Sequence, residues 1–252
     1  MKRNWTREEG ILALALYFEL PFGQLYSENK KIIELAAFIN RTPSSVSMKL
    51  CNFARFDPEL AQRGVAGLKN GSRLDEMLWN EFYQNTDALL EEVDKIHGAM
   101  DLILLNTDLD IEIPKGAEGI ALTKIRKGQT FFRNTVLSAY SNTCCITGIN
   151  LPKLLQASHI KSWKDSEPAT ERNNPTNGLC LNYLHHKAFD SGYITIDENY
   201  RIVISKQLQD NLTKDNYRNL FEKYEGKLIN LPHRFLPNKS FIEYHNSHVF
   251  NE

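Results

Sequence analysis

Two histidines and an asparagine lie within 28 residues of one another in this sequence, in the order His159, Asn177, His186. A neutral imidazole is the side chain best suited to take a proton from water near pH 7. A divalent ion beside a phosphate stabilises the negative charge that grows there during hydrolysis, and imidazole can bind such an ion. The three residues are therefore candidates for a site of acid–base and metal-assisted chemistry.

The flanking sequence makes this set more specific than isolated histidines would be. A turn-rich segment, YSNTCCITG at Tyr140–Gly148, precedes it, and a hairpin-like segment, FDSGYITID at Phe189–Asp197, follows it. The whole pattern resembles the HNH endonucleases, in particular the branch with a C-x-T-G entry, an S-H-I or A-H-I first histidine and an H-H-x-x-F-D ending. The resemblance extends over about 126–250 and is densest between Cys145 and Asp197.

The resemblance implies a β-hairpin followed by a helix, arranged around one metal ion, Mg²⁺ or another divalent ion such as Mn²⁺. It implies that His159 is the general base at the end of the first strand. Asn177 would orient the region of the base, and His186 would bind the metal from the helix. The implied substrate is DNA.

The sequence departs from the family pattern at two points. Ser158 stands before the base, where relatives often carry Asp or His as a metal ligand, and a neutral hydroxyl is a poor ligand for a hard cation. His185 and Asp190 are nearby candidates to complete the site; in a helix, His186 and Asp190 share a face, whereas His185 points about 100° away. The four cysteines form no C-x-x-C pair, so we expect no structural zinc.

Composition and charge indicate a cytoplasmic protein that does not enter a membrane. No apolar run approaches the roughly 18 to 20 residues of a membrane span, and four cysteines in 252 residues do not form a disulfide framework. The formal net charge is only −1, yet residues 1–73 carry 11 basic against 7 acidic side chains and residues 121–252 carry 17 against 12. Two basic blocks are therefore separated by an acidic one, and local basic faces can bind phosphate.

The N-terminal third reads as a helical domain. Thr6 and Glu9 form a capping-box pattern ahead of the apolar run Ile11–Tyr17, a second amphipathic helix is predicted at Lys30–Ile39, and a third at Ser44–Phe53. This order is typical of a helix-turn-helix, and it resembles the N-terminal domain often joined to this HNH branch. A further helix is predicted over Trp79–Val93, and another around Thr130–Tyr140.

We expect several side chains to contact DNA. The third helix and the turn before it supply Arg41, Ser44, Ser45 and Lys49. The region near the predicted nuclease site supplies Arg126, Arg133 and Lys161. Three-helix modules also mediate protein contacts, so the N-terminal domain could instead bind a protein. The remaining histidines, His97, His233, His245 and His248, match no motif and are expected to be surface or core residues.

These inferences predict an α+β protein with a helical DNA-binding domain over residues 1–95, an acidic connector over 96–120 and a ββα-metal HNH nuclease domain over 121–252. The predicted activity is hydrolysis of DNA, and the domain pairing resembles restriction endonucleases that defend against phage. One alternative is a DNA-binding regulator or interaction protein with an inactive HNH scaffold, which Ser158 favours. Another is an RNA-directed nuclease. Cleavage of both strands would need a homodimer or two encounters.

Overall fold

The computed structural model describes residues 3–58, 60, 72–97 and 117–251, and the side chains of all of these except 97 and 117–125. The chain divides into two compact units. One extends to Ser138 and also includes Pro168–Asn174; the other comprises Ala139–Glu167 and Pro175–Glu252. Within the part of the chain that is described, no helix has the length and apolar character that crossing a membrane requires.

The first unit is helical. Its helices are, in chain order, α1 (Arg7–Glu19), α2 (Lys30–Phe38), α3 (Pro43–Ala54), α4 (Arg73–Phe82), α5 (Thr86–His97) and α6 (Ala117–Ala139, of which the last residue belongs to the second unit).

Helix α1 is the centre of this unit. The side chain of Thr6 accepts from the backbone N–H of Glu9, and Glu9 accepts from the backbone of Thr6, so the predicted capping box is confirmed. From Glu9 to Glu19 every residue is buried, because α2, α3, α4 and α5 all pack against α1. Burial of an apolar helix on all sides is what its sequence, which has no polar stripe, predicts.

The α2–turn–α3 unit follows the predicted helix-turn-helix order. Asn29 caps α2, and Thr42 caps α3 with Pro43 as its first residue. Between them Asn40 has a φ of 53°, and the backbone N–H of Arg41 donates to the carbonyl of Ala36, which closes the end of α2. Asparagine tolerates this left-handed conformation better than most residues do.

The prediction of one helix over Trp79–Val93 is wrong. Helix α4 ends at Phe82, and α5 begins at Thr86, because the side chain of Asn85 accepts from the N–H of Ala88 and so starts a new helix. Helix α6 begins at Ala117, well before the predicted start near Thr130. Of the predicted connector, 98–116 lies outside the described residues, and both of its ends are helical.

The segment Pro168–Asn174 belongs to the first unit although the chain on both sides of it belongs to the second. Asn173 donates from Nδ2 to Asp87 at 2.6 Å, and its carbonyl accepts from Thr86 at 3.1 Å. A Cβ on Gly128 would lie 2.4 Å from Oδ1 of Asn173, so a larger residue on α6 would require the side chain of Asn173 to move.

The second unit contains two antiparallel hairpins and several helices. The first hairpin pairs β1 with β2 in a register that places His159 opposite Gly178 and Leu155 opposite Asn182. The second pairs β3 with β4. The elements are β1 (Leu155–His159), β2 (Gly178–Asn182), α7 (Tyr183–Asp190), β3 (Ile194–Ile196), β4 (Ile202–Ile204), α8 (Lys206–Asn211), α9 (Lys214–Leu220) and α10 (Lys239–His248).

The hairpin β1–β2 followed directly by α7 is the ββα arrangement that the sequence resemblance implies. Asn182, the last residue of β2, caps α7 by accepting from the N–H of His185, so strand and helix share one residue as their boundary. Ahead of the hairpin, Cys145 donates its backbone N–H to Cys180 of β2, and the thiol of Cys144 accepts from the N–H of Asn182. These buried cysteines anchor the entry turn to β2.

Candidate functional site

The hairpin and α7 bring the three residues of the sequence pattern into one compact unit. His159 is the last residue of β1, and Asn177 directly precedes β2, so the register of the hairpin places them side by side at one end of the two strands. His186 lies in the first half of α7, which packs against both strands.

Asn177 is fully buried and pairs with the backbone that follows His159. Its Oδ1 accepts from the N–H of Lys161 at 2.8 Å, and its Nδ2 donates to the carbonyl of Lys161 at 3.0 Å and to the hydroxyl of Ser166 at 3.2 Å. Its own carbonyl accepts from the N–H of Ile160 at 2.9 Å. Four hydrogen bonds therefore hold the chain immediately after His159 to the start of β2.

The His159 ring is partly exposed and contacts the edge of an aromatic neighbour. Its centroid lies 5.7 Å from that of Trp163, and the two rings are inclined at 83°. Such an edge-to-face contact restricts the orientation of the imidazole while leaving part of it open to solvent.

Ser158, which precedes His159 in β1, forms a cluster with His186 and Asp190 of α7, which we call the acidic cluster. Asp190 accepts from the fully buried hydroxyl of Ser158 at 3.1 Å through Oδ1, and its Oδ2 lies 3.4 Å from Nε2 of His186. The two helical residues are four positions apart and share a face of α7, as the spacing predicts. Nδ1 of His186 is buried and has no hydrogen-bond partner among the described residues.

The donor atoms of the acidic cluster fit a divalent ion that keeps much of its water. The cluster offers one imidazole nitrogen, one carboxylate and one hydroxyl, and His186 and Asp190 keep 26% and 41% of their side-chain surface exposed. Among the described residues, no three His, Cys, Asp or Glu side chains gather closely enough to hold a metal by themselves. Mg²⁺ is commonly bound through one or two carboxylates and several waters, so a small donor set suits it.

The expectation that His185 completes the metal site is wrong for this structure. Its ring is buried, with Nδ1 at 3.1 Å from Asn182 Oδ1 and Nε2 at 3.2 Å from the carbonyl of Leu220, and it packs on the rings of Phe221 and Tyr224. Burial lowers the pKa of His185 from 6.5 to about 4. Both ring nitrogens face protein oxygen atoms, and the neutral ring can donate to one of them, so His185 braces α7 and offers no nitrogen to an ion.

The predicted DNA contact of Lys49 is also wrong for this structure. Lys49 is buried, its ammonium forms an ion pair with the fully buried Asp75 at 2.5 Å, and Nζ lies 4.7 Å from the centroid of the Trp5 ring. Because the side chain of Lys49 is buried, its ammonium group is not accessible to a phosphate.

Arg41 is held in a similar way, which corrects its assignment to DNA. Its side chain is 9% exposed and pairs with Glu9 at 2.7 Å. Its guanidinium also donates to the carbonyls of Arg3 and Asn4 and lies 4.3 Å from the centroid of the Trp5 ring. The W-T-x-E-E segment at the N-terminus therefore forms a structural junction with α3 and the turn before it.

The remaining predicted DNA contacts lie in varied surroundings. Ser44 is exposed at the start of α3, but the N–H of Ser45 is already bonded to Thr42. Arg126 and Arg133 are partly buried on α6 in the first unit. Lys161 directly follows the base region, with Nζ 5.2 Å from the centroid of the Tyr244 ring. Their contact with DNA stays a prediction.

Three residues near the site were not found from the sequence. Trp163 packs on His159, the hydroxyl of Ser166 accepts from Asn177 and donates to the carbonyl of Lys161, and Asn182 joins β2 to α7. Only Asn182 carried a local signal, because an asparagine ahead of a helical pattern favours an N-cap. Trp163 and Ser166 lie in a loop whose path depends on contacts with Asn177, which no local pattern encodes.

Comparison with known proteins agrees with this geometry. Residues 144–197 match the model of a family described as HNH endonuclease. The matched segment includes β1, β2 and α7 and extends to the end of β3. A search of the curated proteins found no match to the chain.

Proposed function

Because residues 144–197 match a family described as HNH endonuclease, we propose that this chain hydrolyses phosphodiester bonds of DNA with the help of a divalent metal ion. The observation that supports this proposal most strongly is the placement of His159 beside Asn177 at one end of the hairpin, with His186 and Asp190 on the adjacent helix.

His159 is proposed as the general base. It ends β1, keeps part of its ring exposed and is held by Trp163, so it can accept a proton from a water molecule at the open side of the site. Asn177 acts as a positioning residue, because its hydrogen bonds to Lys161 and Ser166 fix the chain that leaves the base.

His186 and Asp190 would hold the metal ion, Mg²⁺ or Mn²⁺, and Ser158 would orient the carboxylate through its hydroxyl. The ion, when bound, supplies positive charge beside the scissile phosphate and the departing oxygen. With only one carboxylate and one imidazole, ions that favour nitrogen ligands, such as Mn²⁺, Co²⁺ and Ni²⁺, should bind at lower concentration than Mg²⁺.

The helical unit is proposed to bind the DNA. Its α2–turn–α3 arrangement has the order of a helix-turn-helix, in which the N-terminal end of the last helix faces the major groove. With Arg41 and Lys49 committed to Glu9 and Asp75, the exposed Ser44 is the remaining candidate of that group at this end of α3.

Restriction of foreign DNA is the proposed biological setting. The likeness of the two-domain pairing to restriction endonucleases supports this setting. A single HNH site cuts one strand, so cleavage of both strands would need a second copy of the chain or a second encounter.

The decisive experiment incubates the purified protein with supercoiled plasmid and with Mg²⁺, Mn²⁺ or EDTA. We expect nicking with either metal and none with EDTA. His159→Ala should lower single-turnover cleavage by about 10² to 10⁴-fold while DNA binding is retained, because it removes the base and leaves the surrounding fold intact.

His233→Ala is the matched control, since His233 is an exposed histidine of the same unit. Cleavage by His159→Ala at the wild-type rate would overturn the role of the base. DNA binding without cleavage by the wild type would favour a regulator with an inactive scaffold, and preferential cleavage of a matched RNA would favour the RNA-directed alternative.

A further inference from the structure

The last helix, α10, lies outside the family-matched segment but packs on the elements that carry the site. Asn238 caps α10, and its backbone N–H donates to the carbonyl of Thr176, next to Asn177. The inward face of α10 consists of Phe241, Ile242 and His245, all buried, and the helix packs on β3.

His245 holds the end of α7. Its ring is 1% exposed and stacks on Phe189, with centroids 3.8 Å apart and planes inclined at 17°. Its Nε2 lies 3.1 Å from the carbonyl of Phe189, and its Nδ1 lies 2.8 Å from the hydroxyl of Thr195 on β3. Phe189 directly precedes Asp190, so this contact fixes the backbone from which the carboxylate of the acidic cluster projects.

The residues after α10 hold the turn that follows α7. The N–H of Asn251 donates to the carbonyl of Gly192, and its side chain donates to the carbonyl of Ser191. Gly192 has a φ of 72°, and a Cβ there would lie 2.1 Å from the carbonyl oxygen of Val249. Only glycine permits this close approach, so the sequence of the turn is matched to the segment that covers it.

The adjacent residue of α10 reaches the loop beyond the base. Nζ of Lys161 lies 5.2 Å from the centroid of the Tyr244 ring, within range of a cation–π interaction. The backbone of Lys161 is the group that Asn177 bonds on both sides. One turn of α10 therefore contacts the end of α7 through His245 and the loop after His159 through Tyr244.

We propose that α10 is a positioning element of the nuclease site, which sets the distance between the base on β1 and the metal-binding residues on α7. This inference rests on the proposed function, because the site that α10 positions is the proposed nuclease site. Displacement of a catalytic group by about 1 Å can lower a rate about 10²-fold, so loss of these contacts should affect chemistry more than DNA binding.

The first test compares His245→Phe with His248→Phe. Phenylalanine at 245 keeps an aromatic ring on Phe189 but removes both nitrogen contacts, whereas His248 is exposed on the same helix and stacks on Tyr244. We expect His245→Phe to raise the Mn²⁺ dissociation constant, measured by electron paramagnetic resonance, by about 3- to 10-fold, and to lower single-turnover cleavage by about 10- to 100-fold. His248→Phe should resemble the wild type in both.

The second test compares Tyr244→Leu with Tyr244→Phe. Leucine removes the aromatic face beneath Lys161 and should lower the cleavage rate by about 10-fold without changing the Mn²⁺ dissociation constant. Phenylalanine keeps the face and should restore most of the rate. Equal losses in the two variants would overturn the role of the ring.

The results separate this inference from the proposed function. If the wild type binds Mn²⁺ but cuts no nucleic acid, the proposed function fails, and the Mn²⁺ dissociation constant of His245→Phe still tests the positioning. If that constant stays within twofold of wild type, the inference is overturned whatever the wild type cleaves. A wild type that binds no Mn²⁺ overturns both.

Discussion

A single carboxylate connects β1 to α7 at the candidate site. Asp190 accepts from Ser158 through one oxygen, and its other oxygen lies 3.4 Å from His186. Ser158, which departs from the family pattern, therefore takes part in the cluster through its hydrogen bond to Asp190. Its hydroxyl donates to one oxygen of Asp190, the carboxylate that is proposed as a metal ligand.

Ser158→Asp should lower the Mg²⁺ concentration that gives half-maximal cleavage, because it adds a second charged oxygen beside Asp190. In the absence of metal the two carboxylates would repel each other in a buried position, so Mg²⁺ should raise the melting temperature more in this variant than in the wild type.

Titration of plasmid cleavage and of the melting temperature with Mg²⁺ measures both effects, with Ser158→Ala as the control that removes the hydroxyl and adds no charge. An unchanged Mg²⁺ requirement in Ser158→Asp would mean that the ion does not lie beside this position.

Among the helices and strands, the sequence predicted the features that depend on residues close together in the chain. The capping box of α1, the helices α2 and α3 and the hairpin–helix order follow from periodicity, caps and the ordered motif. The division between α4 and α5 was missed because Asn85 can lie within or ahead of a helix, and the choice depends on packing against α1.

Long-range partners were not predictable from the sequence. Lys49 and Arg41 have the position and charge of DNA contacts in a helix-turn-helix, yet their carboxylate partners, Asp75 and Glu9, lie 26 and 32 residues away in the sequence. His245 matches no motif, since its partners Phe189 and Thr195 are 56 and 50 residues distant. Such pairs become apparent only when the helices are packed.

The buried pair of Lys49 and Asp75 predicts a stability effect in place of a DNA effect. Lys49→Met should lower the free energy of unfolding by about 3 to 5 kcal/mol, because Asp75 would be left as an unpaired buried charge. The double variant Lys49→Met with Asp75→Leu should recover most of the loss, since no charge remains to be buried.

Urea unfolding measures these changes, and DNA binding at several salt concentrations completes the test. Lys49 would instead contact a phosphate if Lys49→Met kept the free energy of unfolding of the wild type and its DNA binding depended less on salt. The slope of the logarithm of the binding constant against the logarithm of the salt concentration would then be smaller by about one unit.

For the molecule as a whole, two buried histidines predict how stability depends on pH. Burial lowers the pKa of both His185 and His245 from 6.5 to about 4. The unfolded chain binds protons at these rings more readily than the folded chain does. The free energy of unfolding is therefore highest above pH 6.5 and decreases as the pH falls from 6.5 to 4. The total decrease amounts to about 3 kcal/mol for each histidine.

The urea midpoint of the wild type should thus fall between pH 7 and pH 5, and the fall should be smaller in His185→Phe and in His245→Phe. Burial raises the pKa of Glu19, so this residue favours the folded chain as the pH falls, opposite to the two histidines. Because Glu19 is present in all three proteins, its effect cancels when they are compared. The same fall in all three proteins would show that neither histidine is responsible.

The placement of Pro168–Asn174 in the first unit has a consequence for how this protein can be divided and inherited. The chain passes from one unit to the other at Ser138, returns at Glu167, and leaves again at Asn174. Neither unit is therefore a continuous cassette. A fragment that begins at Ala139 would carry this segment without Asp87 and Thr86, its hydrogen-bond partners. Recombination that replaced the helical unit with one of different specificity would have to transfer two separate stretches of sequence, one of them located between His159 and Asn177.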